Sequence, residues 1–255
     1  MRFEDRVALI TAAGSGIGRA TAQIIAAEGG RVAAVDNDEG RLERLANDVS
    51  AGGGRIGTFA CDALDRGAVR ATVAGVLEAH GCIDILVNAV GGSTIIADPG
   101  ATVDALGLEE WRSITAFNLE GMFLFTHEVV PIMKRQGRGK IVNLASIAGR
   151  GLSDESSSAY AAAKGGVIAF THKIARELGP FGITVNAVAP NTTLTERIRP
   201  RWEQRSPEVR AAIVDAIPLR RVGEAVDQAR VICFLASGDA DYVTGQTIDV
   251  SGGAA

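Results

Sequence analysis

The sequence predicts an α/β fold, a doubly wound, seven-stranded parallel sheet with helices on both faces. Two observations carry that prediction. Apolar runs of about four to seven residues alternate with longer stretches of helical period, the pattern of strand–helix–strand units. Glycines punctuate the junctions: the chain has 31 in 255 residues, where average usage of ~7% would give about 18.

In chain order the strands fall at 7–10, 32–35, 56–60, 83–87, 140–144, 184–188 and 247–250. Each is read as buried on both faces, as strands of a parallel sheet are. Helices are expected at about 16–28, 38–50, 66–80, 108–136, 158–178 and 224–236. Gly29-Gly30, Gly52-Gly53-Gly54, Gly81, Gly137 with Gly139, and Gly179 with Gly182 each end a helix before a strand, the work of caps and turns. No linker or repeat divides the chain, so 1–255 is expected to be a single domain. Two stretches, 93–107 and 192–217, are long for connections and are the places where function is expected to collect.

Composition narrows the function classes. With 47% hydrophobic residues the chain is too apolar for disorder. Lys+Arg 26 against Asp+Glu 30 gives no basic field for nucleic acid or anionic lipid, so the expected partner is a small molecule. The longest charge-free run, 178–195, contains two prolines, two asparagines and four threonines, and no membrane span is expected. Met1-Arg2-Phe3-Glu4-Asp5-Arg6 does not read as a signal peptide, which makes the cytoplasm the expected location. Cys61, Cys82 and Cys233 with His80, His127 and His172 fit neither a disulfide framework nor metal-ligand spacing, so no metal is expected.

Directly after the first strand comes Thr11-Ala12-Ala13-Gly14-Ser15-Gly16-Ile17-Gly18, opening the first helix. A strand, a glycine turn and a helix N-terminus offer free N–H groups to a pyrophosphate, the arrangement of a Rossmann-type dinucleotide site. The second strand ends in Asp36, and an acidic residue ~20 positions beyond the turn is placed to accept hydrogen bonds from an adenine ribose. A carboxylate there repels a 2′-phosphate, and Ser15 and Asn37 supply no compensating base. NAD is therefore the expected cofactor, with Arg19 and Arg41 as the residues able to reverse that choice.

Tyr160 and Lys164 stand four apart in an alanine-rich helical stretch, so both lie on one helix face. The chain has only two tyrosines, and such a pair arises by chance roughly 3% of the time. An ammonium one turn away stabilises a phenolate, which makes a phenol of ordinary pKa ~10 usable as a proton donor. Upstream, the fifth strand leads into Ser146 at the carboxyl edge of the sheet, where a hydroxyl can hold a substrate oxygen.

Taken together, these motifs resemble the short-chain dehydrogenase/reductase family over nearly the whole chain. Its ordered motifs correspond to the glycine turn at 11–18, Asn88 to Gly91, Asn118, Ser146, Tyr160 with Lys164, and Pro190-Asn191. The resemblance implies hydride transfer between NAD(H) and a secondary alcohol or ketone in one catalytic domain. It implies four catalytic residues: Asn118 holding a relay water, Ser146 on the substrate oxygen, Tyr160 exchanging the proton, and Lys164 on the ribose while lowering the phenol pKa. Cofactor contacts are implied for Ser15, Gly16, Ile17, Gly18, Asp36, Asp62, Ala63, Asn88, Gly91, Tyr160, Lys164, Pro190, Thr193 and Thr195. A homotetramer pairing the helices that carry Asn118 and Tyr160 is implied as well. The chain departs from the pattern at Ala12, Ala89, Asn191 and Ser251, none of which transfers a proton. Ala12 sets a Cβ where the pyrophosphate approaches, and the Asn absent at position 89 takes away ties between the fourth strand and its neighbours.

The stretch 192–217 is expected to cover the site as a lid. Arg197, Arg199, Arg201, Arg205 and Arg210 there stand against Glu196, Glu203, Glu208 and Asp215. They make either a solvated amphipathic helix or a clamp for an anionic substrate, such as a carboxylate or a CoA thioester. The segment 150–157 is expected to wall the pocket. Beside the NAD-dependent reading stand an NADPH-dependent 3-oxoacyl thioester reductase, against which Asp36 argues, and a catalytically silent nucleotide-binding scaffold, against which the intact catalytic residues argue.

Overall fold

The inner strands are buried along almost their whole length because each has a helix layer on either side. In the computed structural model, which describes residues 1–153 and 155–254, the chain runs β1 (Val7–Thr11), α1 (Gly16–Ala27), β2 (Arg31–Asp36), α2 (Glu39–Ala51), β3 (Arg55–Ala60), α3 (Arg66–His80) and β4 (Ile85–Asn88). It continues through α4 (Leu108–Thr115), a π-helical turn at Ala116–Glu120, α5 (Gly121–Gln136), β5 (Gly139–Leu144), α6 (Ser158–Leu178) and β6 (Ile183–Pro190). The short strand β7 (Thr193–Leu194), α7 (Arg199–Glu203), α8 (Pro207–Ala216), β8 (Gly223–Glu224), α9 (Ala225–Ala236) and β9 (Thr247–Val250) follow.

Seven strands form one sheet in the order β3-β2-β1-β4-β5-β6-β9, every pair parallel. Alternation along each strand feeds two cores. Ala8 and Ile10 of β1 meet Ile25 of α1, Leu45 of α2 and Ile232 of α9. Val7 and Leu9 point the other way, toward Val73 of α3, Phe125 of α5 and Ile174 of α6. The chain leaves β1 for β2 on one side and returns to β4 on the other, so the crevice of an open parallel sheet opens beyond the carboxyl ends of β1 and β4.

Three expectations change. Burial on both faces holds for the five inner strands but not for β3 and β9, whose residues are half-buried or exposed because they form the sheet edges, where cover runs out. The helix expected over 108–136 is interrupted at Ala116–Glu120 by the π-helical turn. The stretch 192–217 is not structureless: it holds β7, which pairs with β8, and the helices α7 and α8, neither of which buries a residue. Among the described residues no helix is long and apolar enough to cross a membrane.

Candidate active site

The turn after β1 is shaped by close approaches. A Cβ on Gly14 would stand 2.6 Å from Arg41 Cβ and 2.9 Å from Asp36 Oδ2, and one on Gly18 would collide with the Ala12 carbonyl. Ala12 itself adopts φ 49°, a left-handed conformation that costs an L-residue about 1–2 kcal/mol. The backbone thus keeps the form that a glycine would take at this departure from the family pattern. Helix α1 starts with no acidic residue in its first turn, and the Ser15 side chain makes no cap. Its N-terminal donors therefore have no capping partner from the helix's own first turn.

A carboxylate from the far end of the chain already sits there. Glu196 Oε2 accepts from Gly16 N–H at 2.8 Å, while Oε1 lies 3.3 Å from Arg19 Nη1. Burial works to raise the Glu196 pKa, but hydrogen bonds from its own backbone and Gly16, with the Arg19 charge, bring it below the ordinary value. Thr195 packs its methyl group over Gly16. Nothing local in the sequence signals this contact, since 180 positions separate its partners.

Asp36 closes β2 at 6% exposure, with Oδ2 accepting from Gly14 N–H at 3.0 Å and Oδ1 from Asp38 N–H at 3.1 Å. Both neighbouring bases are engaged: Arg41 with Asp38 at 3.2 Å, and Arg19 with Asp48 at 2.5 Å. Asp62 follows β3, accepting from Leu64 N–H, and Ala63 packs against Gly121 of α5. Asn88 differs from the expectation. Its amide is turned inward to Thr126 Oγ1 at 3.1 Å and Asn143 Oδ1 at 2.9 Å, so it joins β4 to β5 and α5 instead of facing the crevice. The tie lost with Ala89 is thereby supplied, and Thr11 Oγ1 accepts from the Ala89 N–H as a second link.

The π-helical turn places Asn118 next to the loop after β4. Its Nδ2 donates to Gly92 O and Ile114 O, and its Oδ1 accepts from Gly92 N–H at 2.8 Å. Gly91 sits between this amide and the lysine: a Cβ there would lie 2.7 Å from Lys164 Nζ and 2.8 Å from Asn118 Oδ1. Lys164 is buried at 1% exposure and donates to Leu144 O at 2.7 Å. Burial first, and the Arg197 charge second, push its pKa down to about 7. Burial pushes the Tyr160 phenol up, opposed by a Ser146 hydrogen bond and by Arg197.

Ser146 caps the turn at Ile147–Arg150, accepting from Ala148 N–H and donating to Pro190 O at 3.4 Å. Gly149 lets this turn lie against α6, since a Cβ there would be 2.6 Å from the Lys164 carbonyl carbon. The Thr193 hydroxyl donates to Asn191 O and accepts from Gln228. Ile17, Gly91, Ser146, Tyr160, Lys164, Pro190, Thr193 and Thr195 share one cavity of about 460 Å³, while Asp36, Asp62 and Ala63 follow β2 and β3 along the same edge. Ser153, Glu155 and Ser156 wall the cavity as expected, and Asp154 between them lies outside the described residues. Arg197 also enters it, donating to Gly91 O at 2.8 Å.

A family model described as Enoyl-(Acyl carrier protein) reductase matches residues 11–255. The 3-oxoacyl-[acyl-carrier-protein] reductase FabG of Thermotoga maritima is 38% identical over 257 residues, with 99% of each chain covered. Levodione reductase of Leifsonia aquatica is 37% identical over 259 residues, covering 99% of this chain and 95% of that one. The crystal structure of a 3-oxoacyl-[acyl-carrier protein] reductase with bound NAD from Brucella melitensis has TM-score 0.87 at 35% identity, over 99% of this chain and 93% of that one. The chain belongs to the short-chain dehydrogenase/reductase family, whose members bind a nicotinamide cofactor, and is an oxidoreductase.

Proposed function

We propose that the chain interconverts a secondary alcohol and its ketone with NAD(H), with Tyr160 exchanging the hydroxyl proton. The observation that carries this reading is the meeting of Ser146, Tyr160 and Lys164 around one cavity at the carboxyl ends of β5 and β6. The groove beside it suits a dinucleotide. Its helix N-terminus already holds a carboxylate, and Gly14 and Gly91 leave no room for a side chain. The dinucleotide, when bound, supplies or accepts the hydride. Ser15, Gly16, Ile17 and Gly18 would hold its pyrophosphate, Asp36, Asp62 and Ala63 its adenosine, and Gly91, Pro190 and Thr195 its nicotinamide half. Asn88 and Thr193 contribute by fixing the backbone on which those residues stand.

Ser146 would present its hydroxyl to the substrate oxygen that Tyr160 protonates or deprotonates. Burial keeps the phenol protonated at neutral pH, ready to donate when a ketone is reduced. In oxidation, the Arg197 charge and the Ser146 hydrogen bond favour the phenolate. Lys164 would hold the ribose, and Asn118 beside it the relay water. NAD is favoured over NADP because Asp36 repels a 2′-phosphate while Arg19 and Arg41 are engaged by carboxylates. A second reading is reduction of 3-oxoacyl thioesters with NADPH, its substrate side favoured by the Thermotoga relative, a 3-oxoacyl-[acyl-carrier-protein] reductase.

We also read the whole chain as one catalytic unit, with residues 192–217 as its lid. Trp111, Phe123 and Phe170 leave an apolar face on α4, α5 and α6 that a second copy would cover in a homotetramer. Free thiols at Cys61, Cys82 and Cys233 suit the cytoplasm.

The test is turnover of an alcohol and ketone panel with NAD and with NADP, followed by nicotinamide absorbance. Tyr160→Phe should lose about 10²- to 10⁴-fold in kcat while NAD binding is retained; activity near wild type removes the proton-transfer role. Asp36→Ala should relax the preference toward NADP, and unchanged discrimination assigns it elsewhere. A wild type that works only with NADPH on 3-oxoacyl thioesters establishes the second reading.

A further inference from the structure

The segment that follows β7 divides its arginines between two sides. Arg197, Arg201 and Arg205 recur every four residues through the helical turns around α7, and all three line the cavity that contains Ser146, Tyr160 and Lys164. Arg199, between them, turns away to Glu224 at 3.1 Å. The three cavity-lining arginines differ in their surroundings: Arg197 and Arg201 are exposed and Arg205 is half-buried. Arg197 is held by the Gly91 carbonyl, and Arg205 makes a two-pronged pair with Glu155 at 2.6 and 3.0 Å. Arg201 has no ion pair among the described residues.

Positive charge exceeds negative charge on this wall. Against the three guanidiniums and Lys164, the carboxylates among the described lining residues are Asp98 and Glu155. Asp98 accepts from Gly100 N–H in its own loop, and Glu155 is taken by Arg205. Burial first and the Arg197 charge second depress the Lys164 pKa. Trp202, half-buried, lines the same wall.

We infer that the substrate carries an oxoanion head group, carboxylate or phosphate, and that Arg201 is its anchor, with Arg205 beside it. The inference rests on the secondary-alcohol reading of the site. Ser146 and Tyr160 hold the oxygen that reacts, and the forked donors of Arg201 fix the opposite end of the molecule. The residue acts by binding and orientation, so its loss falls mainly on KM.

The test compares 3-hydroxybutyrate, 3-hydroxybutyl phosphate and the uncharged methyl 3-hydroxybutyrate as substrates with NAD. Wild type should prefer an anion over the ester, and the better of the two anions identifies the head group. Arg201→Ala should reduce the anion-to-ester ratio of kcat/KM by about ten- to a hundredfold, the worth of one charged hydrogen-bond pair. Arg201→Lys should recover part of the ratio, because the charge remains and the fork is lost. Arg199→Ala should keep the wild-type ratio. An ester used as well as both acids, or a ratio unchanged in Arg201→Ala, overturns the anchor. A parallel measurement separates the two readings: the melting temperature of the enzyme with NAD, with succinate or dimethyl succinate added. Stabilisation by succinate alone that disappears in Arg201→Ala, in an enzyme that oxidises none of the alcohols, retains the anion site and removes the alcohol reading. Absence of both turnover and stabilisation removes both.

Discussion

Lys164 carries an electrostatic cost of burial. Its ammonium is buried with the Leu144 carbonyl as its hydrogen-bond acceptor, and its pKa falls from 10.5 to about 7. The sign follows from which state binds the proton. Below about 7 both folded and unfolded chains are protonated, and the burial cost is fully present. Between about 7 and 10.5 only the unfolded chain is, so this group makes the protein more stable as pH rises. From pH 7 to 9 the cofactor-free wild type should gain about 2 kcal/mol relative to Lys164→Met. Denaturant unfolding of both proteins at the two pH values measures it, and parallel curves would show that the ammonium is solvated. Tyr160, Lys164 and Ser146 were legible because spacing on a helix and position at a strand end are local properties. The inward turn of Asn88 was not, because its partners Thr126 and Asn143 come from other elements.

At the scale of elements, the site depends on how closely the turn after β5 lies against α6. Gly149 permits that contact, and a methyl group there meets the backbone of Lys164 and Gly165 at 2.6–2.7 Å, where no side chain can yield. Gly149→Ala should therefore cost about 1–3 kcal/mol and lower kcat by moving Ser146 away from Tyr160. Thermal unfolding and steady-state kinetics check this; full activity at wild-type stability would show that the turn is free to shift. The strands were legible because buried parallel strands read as short apolar runs, and the helices because their period persists. The π-helical turn was hidden, since Ala116 to Glu120 keep the same periodicity and only the long-range bonds of Asn118 to Gly92 distinguish them. The pair β7 and β8 was hidden for a different reason: two residues each are too few to show alternation.

At the scale of the whole molecule, the exposed aromatic face shares helix α6 with Tyr160 and Lys164. Trp111 is 40% and Phe123 45% exposed, with Phe123 edge-on to Phe170 at 6.4 Å. Phe123→Asp should convert an assembly of copies to monomers in light scattering, and a wild type that is already monomeric removes this role for the face. The groove has a further property. Neighbouring residues of one segment, Glu196 and Arg197, set a carboxylate on the start of α1 and a guanidinium beside Tyr160. On the cofactor placement proposed above, loading the groove would be an exchange of partners, because Gly16 N–H is held by Glu196. In rapid mixing, the observed association rate should rise with NAD concentration and then level off at the rate of that departure, with a higher plateau in Glu196→Gln. A rate that stays proportional to concentration throughout would mean that the internal anion leaves faster than any ligand arrives.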